Sequence, residues 1–180
     1  MSYGFDGVDD EIKCGNNQDL LILGDLTTTW WQRVKATPAQ TTARAVVGWG
    51  TSGETEATNF AYANGIKLTS GVLQYRSNHE FGAGTNIAEV LSTATVPIGV
   101  WEHVGIIRDS ARKTLQFVIN GVAETPLTYS DNPTGGSAGS FTLGRATNIA
   151  NSFINAFVQD VRVYNRALTI GEVDSIRRGF

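Results

Sequence analysis

Two acidic pairs stand at a spacing that hydrolytic chemistry could use: Glu172 with Asp174, and Glu54 with Glu56. Retaining glycoside hydrolysis needs two carboxyl groups about 5 Å apart, one as nucleophile and one as acid/base. Neither pair meets that need. Glu172-Val173-Asp174 falls in a segment that reads as helix, and Glu54-Thr55-Glu56 lies in a Gly/Ser/Thr loop without a third acidic partner. Asp9, Asp10 and Glu11 are consecutive, so strand geometry would splay them to alternate faces. His79 and His103 are the only histidines. His79, within Ser77-Asn78-His79-Glu80, reads as a loop residue, and His103 sits on a predicted strand. No Ser- or Cys-centred nucleophile motif accompanies either, and zinc would need three or four convergent His or Cys ligands. The chain therefore reads as a non-enzyme.

Composition narrows the partners. Net charge is -3 with no basic run, which argues against nucleic acid and anionic membranes. Leu20–Leu23 is far too short to insert into a bilayer. The N-terminus has neither a basic n-region nor an apolar h-region, so the expectation is synthesis in a cytoplasm without a signal peptide. Cys14 is the single cysteine and excludes an intrachain disulfide; its expected place is a small buried apolar site.

The elements that must position any site are strands. Short β-rich runs closed by turn residues include Leu26–Lys35, Arg44–Trp49, Val72–Arg76, Ile87–Leu91, Trp101–Arg108, Thr114–Ile119, Ser140–Leu143 and Phe153–Tyr164. Asn64-Gly65 is expected to turn Asn59–Ala63 into Ile66–Thr69, and Asn120-Gly121 to turn Leu115–Ile119 into Val122–Glu124. Thr169 and Glu172 fit a capping box that opens a short helix through about Arg177. The stretches Gly82–Thr85 and Thr134–Ser140 read as loops, and no composition shift divides the chain. Residues 1–180 form one domain, an all-β antiparallel two-sheet sandwich with a C-terminal helix.

Trp30 and Trp31 are adjacent, so on a strand they face opposite ways. Trp30 shares its face with Leu26 and Val34, and is assigned to the core. Trp31 shares its face with Thr27, Thr29, Arg33 and Lys35, a wet surface with one aromatic. Sugars stack their C–H faces on such rings. Trp31, Arg33, Tyr62 and Tyr75 are the candidate residues for binding a glycan or a partner.

Several motifs resemble, in order, those of the laminin-G-like, concanavalin A-like jelly-roll domains. Phe5-Asp6-Gly7-Val8-Asp9-Asp10 is similar to the family's opening, and Leu26-Thr-Thr-Thr-Trp-Trp31 to its F-T-I-S-A-W strand. Trp101-Glu-His103-Val-Gly-Ile-Ile-Arg108-Asp109 resembles W-x-H-V-A-V-V-R-D, Leu115–Gly121 resembles the L-x-L-Y-V-D-G hairpin, and Leu143-Gly144-Arg145 matches L-G-R. Asp160-Val-Arg-Val-Tyr-Asn-Arg-Ala-Leu168 matches D-V-R-I-Y-N-R-A-L, followed by the terminal helix at Glu172-Val173.

The resemblance implies a jelly roll and gives His103 a packing or hydrogen-bonding place beside Trp101 or its neighbours. It raises the possibility of a retaining glucanase, but where those enzymes carry Glu-x-Asp-x-Glu on one strand this chain has Glu172-Val173-Asp174 with Ile176 in place of the third acid. Calcium is the cofactor it implies, on Asp6 and Asp160, although Gln159 and Ala156 replace residues common beside such a site. Fold alone does not choose among lectins, adhesion modules and virus structural proteins. The leading expectation is a non-catalytic structural or interaction protein, a surface subunit of a larger particle such as a bacteriophage capsid decoration or tail component. It would sit at the virion surface, as a homo-oligomer or bound to the particle, and could present a glycan-binding face. The alternative is a free-standing carbohydrate-binding, lectin-like adhesion module that meets surface glycans.

Overall fold

The computed structural model describes residues 2–38, 43–50, 60–81, 86–134, 139–145 and 152–179. Thirteen strands and one α-helix occur among them. They are β1 (Tyr3–Asp6), β2 (Ile12–Lys13), β3 (Leu26–Val34), β4 (Arg44–Gly50), β5 (Phe60–Thr69), β6 (Val72–Phe81), β7 (Asn86–Thr95), β8 (Glu102–Asp109), β9 (Thr114–Ile119), β10 (Val122–Ala123), β11 (Leu127–Thr128), β12 (Ser140–Leu143), β13 (Asn155–Tyr164) and α1 (Ile170–Arg178). One antiparallel sheet runs β1-β13-β3-β8-β9-β10, with β11 also on β9; the other runs β2-β12-β4-β5-β6-β7. The two sheets close a jelly-roll sandwich.

β3 forms because its Thr-Thr-Thr-Trp-Trp run is β-branched and aromatic, and it lies between β13 and β8. Its inward residues Leu26, Trp30 and Val34 enter the main core with Tyr62, Ile66, Tyr75, Ile106 and Phe117. Trp30 is fully buried and satisfies its indole by donating to Gln32 Oε1 at 2.8 Å, two residues along the same face.

The Asn64-Gly65 hairpin does not form. β5 runs straight through both residues, and Asn64 is buried in mid-strand, donating to Thr28 Oγ1 at 2.9 Å and accepting from the Ser77 hydroxyl at 2.7 Å. Gly65 is there for close approach: a Cβ on it would lie 2.0 Å from the Arg44 carbonyl oxygen. The turn comes at Ser70-Gly71, where both residues take positive φ between paired Thr69 and Val72. Asn120-Gly121 does turn as expected, at φ 53° and 83°, between paired Ile119 and Val122.

α1 starts with the expected capping box of Thr169 and Glu172 and ends on Gly179 in the left-handed conformation. Its Val173 and Ile176 pack on Ile107, Val118 and Leu168, on the outer face of the first sheet. Gly105 lets it settle there, since a Cβ would lie 2.7 Å from Val173 Cγ1. Cys14 is exposed rather than buried, because it follows the edge strand β2. His79 is not in a loop either; it lies buried in β6, edge-on to Tyr129 with its Nε2 2.7 Å from the Asp131 carbonyl oxygen.

Candidate functional site

Helix α1 covers only part of the outer face of the first sheet. Register places the uncovered residues in rows across the strands. Trp31 lies between His103 of β8 and Gln159 of β13. One row further along, Arg33 lies opposite Phe157 of β13, which in turn faces Gly4 of β1. A Cβ at Gly4 would press to 3.2 Å on the Phe157 ring, so glycine there leaves the ring its place.

Trp31, Arg33, Trp101, Phe157 and Gln159 are each half-buried, which leaves ring surface open to solvent. The Arg33 guanidinium lies 4.7 Å from the Phe157 centroid and 5.7 Å from that of Trp101. Lys35 reaches the same Phe157 ring at 4.5 Å while donating to the Phe5 carbonyl at 2.8 Å. Trp31 meets His103 edge-on, with centroids 5.3 Å apart and planes at 65°. His103 is buried beneath it, and neither ring nitrogen has a hydrogen-bond partner. Burial, aided by the Arg177 charge, pushes this imidazole down to about 4. His103 thus packs on Trp31 rather than on its sequence neighbour Trp101.

Two of the four expected binding residues are elsewhere. Tyr62 and Tyr75 are 1% and 0% exposed. They point into the sandwich beside Trp49 and Ile66, their strand partners. Tyr62 donates to the Leu20 carbonyl at 2.9 Å, and Tyr75 donates to the Glu102 carboxylate. Burial drives both phenols well above their ordinary pKa. Neither reaches a ligand on the surface. Their places on the outer face are taken by Trp101 and Phe157, which the sequence reading did not select. The signal for Phe157 was present: Ala156 and Val158 suit the core, so the residue between them must face out.

Asp6 and Asp160 are not brought together. Asp6 pairs with Asn155, five residues from Asp160 along β13, or roughly 16 Å at strand rise. The Asp160 carboxylate takes both an Nε and an NH2 bond from Arg162, at 2.9 and 3.0 Å. These two residues do not fit one calcium ion. Asp9 and Asp10, expected to splay along with Glu11, instead converge with Asp6 to within 4.8 Å of one another, because the chain turns at Gly7. Their own backbone uses that cluster: Asp6 accepts from Val8 N at 2.8 Å and Asp10 accepts from Asp6 N at 2.9 Å. These N–H bonds hold the Asp6 carboxyl below the ordinary range.

The acid pair of α1 is engaged as well. Glu172 bonds Arg166 and Thr169 and is pushed down to about 2, while Asp174 bonds Arg177 and Arg178. Glu54 and Glu56 lie outside the described residues.

A sequence profile described as the concanavalin A-like lectin/glucanases superfamily matches residues 6–174. The chain belongs to that superfamily. No curated protein matches the sequence. Among solved structures, the superfamily domain is similar to the CBM40 of the Ruminococcus gnavus IT-sialidase, with TM-score 0.67 and 13% identity over 98% of this chain and 97% of that one. It is also similar to the binding domain of Paraclostridial Mosquitocidal Protein 1, with TM-score 0.66 and 17% identity over 97% of this chain and 42% of that one. A heptameric SAP-like pentraxin from Limulus polyphemus gives TM-score 0.61 and 15% identity over 97% and 80%. The chain spans only 27% of the Streptococcus pneumoniae NanB sialidase that it also matches. At such identities the likeness is one of fold.

Proposed function

We propose that this domain is a non-catalytic glycan-binding module whose ligand lies on the open half of the first sheet's outer face. One observation carries the reading: Trp31, Trp101 and Phe157 show ring surface on one side of one sheet, with Arg33 between two of them. Partly exposed rings beside a polar group are what a sugar's apolar C–H face and hydroxyls require. Shared architecture with a sialidase's carbohydrate-binding module and with a toxin's binding domain supports it. The engagement of Glu172 and Asp174 in structural ion pairs supports a module without hydrolytic chemistry.

Glycan-array binding of the purified protein tests the proposal. Binding to at least one glycan is expected, and Trp31→Ala should weaken it about tenfold or more while the far-UV spectrum is retained. An array without a single binder overturns it.

A second reading, a surface subunit of a larger particle such as a virion, is favoured by the exposed Ile98 and Val100 just before Trp101. Sedimentation of the native source separates the two. Co-migration with particles supports the subunit, and a free monomer at every concentration rejects it.

A further inference from the structure

Resting on the reading of this face as a glycan site, we infer that the glycan it takes carries a carboxylate, received by Arg33. Among the described residues no carboxylate pairs with Arg33 and no acceptor takes its N–H groups; its contacts are the two rings. The other cations around it are committed. Lys35 donates to the Phe5 carbonyl, Arg162 holds Asp160, and Arg177 holds Asp174. The nearest acids in register are committed too, Glu102 to Tyr75 and Asn120, Asp6 to the backbone of its own turn and Asp160 to Arg162. Among the described residues of this face, Arg33 is the cation left over.

Its place over the Phe157 ring and beside that of Trp101 restrains the guanidinium, whose N–H groups meet no protein acceptor among the described residues. A planar fork held in this way suits a planar two-oxygen anion bound through parallel hydrogen bonds. Trp31 stands two residues back on the same face, so the two backbone positions are about 7 Å apart. That distance is the span of one pyranose ring with a carboxylate on its rim. The ring would stack on Trp31 while the carboxylate meets Arg33. A neutral sugar would use Trp31 and leave the guanidinium unpaired.

Isothermal titration tests this with 3′-sialyllactose and tri-galacturonate, against lactose and methyl-esterified tri-galacturonate as neutral counterparts and lactose 3′-sulfate as a non-planar anion. At least one carboxylate ligand is expected to bind about tenfold or more tighter than its neutral counterpart, as for a charge-assisted hydrogen-bonded pair. Arg33→Gln should shrink that gap to about threefold or less, Arg33→Lys should keep part of it, and added salt should narrow it. Near-UV circular dichroism shows whether the variants keep the fold. Equal affinity for the neutral counterparts, a gap that survives in Arg33→Gln, or tighter binding of the sulfate overturns the carboxylate assignment and leaves the glycan module standing. Absence of binding to every probe and to a full array removes both.

Discussion

The Asn64 side chain joins the two sheets through the interior. Its amide donates to Thr28 Oγ1 of the facing sheet at 2.9 Å, and its carbonyl accepts from the Ser77 hydroxyl of the neighbouring strand at 2.7 Å. All three residues are buried. Asn64→Ala removes both bonds and strands two hydroxyls in the core, which should cost about 2–4 kcal/mol. Urea denaturation, monitored by tryptophan fluorescence, measures the loss as a lower midpoint at unchanged slope.

Two glycines should respond in opposite ways to alanine. At Gly65 the added methyl would meet the Arg44 carbonyl at 2.0 Å, in the middle of a central strand. Gly65→Ala is expected to cost about 3 kcal/mol or more, or to prevent folding. At Gly171, in the first turn of α1, a Cβ meets nothing within 4 Å. Gly171→Ala should stabilise by about 0.5–1 kcal/mol. Thermal melts of the pair decide both signs.

The adjacent tryptophans separate stability from binding. Trp30 is fully buried, and Trp30→Ala should cost about 3–5 kcal/mol through the cavity it leaves. Trp31 is half-buried over His103, and Trp31→Ala should cost no more than about 1–2 kcal/mol while carrying the loss of glycan affinity. Parallel denaturation and titration curves on the two variants check the division.

Burial holds His79 and His103 down to about 4, against an ordinary value of 6.5. Above pH 6.5 both are neutral in the folded and unfolded chains, so neither makes stability depend on pH. Between 6.5 and 4 the unfolded chain binds protons that the folded chain refuses, and stability falls by roughly 3 kcal/mol per histidine. Below 4 their contribution levels off. Glu102, raised by its burial, works the other way as pH falls. His79→Gln and His103→Gln should each flatten the decline in urea midpoint between pH 6.5 and 4. A decline of unchanged steepness in both variants would show that the histidines are not its source.

The sequence carried the strands and the helix caps more reliably than it carried the faces. Trp30 and Trp31 were separable because Leu26 and Val34 mark one side of β3, and a strand has only two sides. Thr169 and Glu172 announced α1 because a capping box is local chemistry. Asn64-Gly65 misled because the pair that makes the best two-residue turn also suits a different need. There, Asn serves as a buried polar link and Gly as a gap for the adjacent strand. The true turn at Ser70-Gly71 carries a weaker version of the same signal. Tyr62 and Tyr75 look from the sequence like surface candidates because no local pattern says which face of β5 or β6 is inside; the partners across the sheet decide that. Asp6 and Asp160 failed to meet for a related reason. The register of β1 on β13 is a long-range property, and a pairwise motif does not contain it.

Arg108 gives the chain an order of assembly. Its buried guanidinium donates to the carbonyls of Ile22, Gly24 and Ala61, which lie 86, 84 and 47 residues earlier in the sequence. Those carbonyls emerge from the ribosome well before the residue that will satisfy them. The segment around Ile22 therefore waits, hydrated and undocked, until β8 has been synthesised and its arginine can exchange water for all three at once. β1 depends in the same way on β13, a strand partner that follows β8 in the sequence.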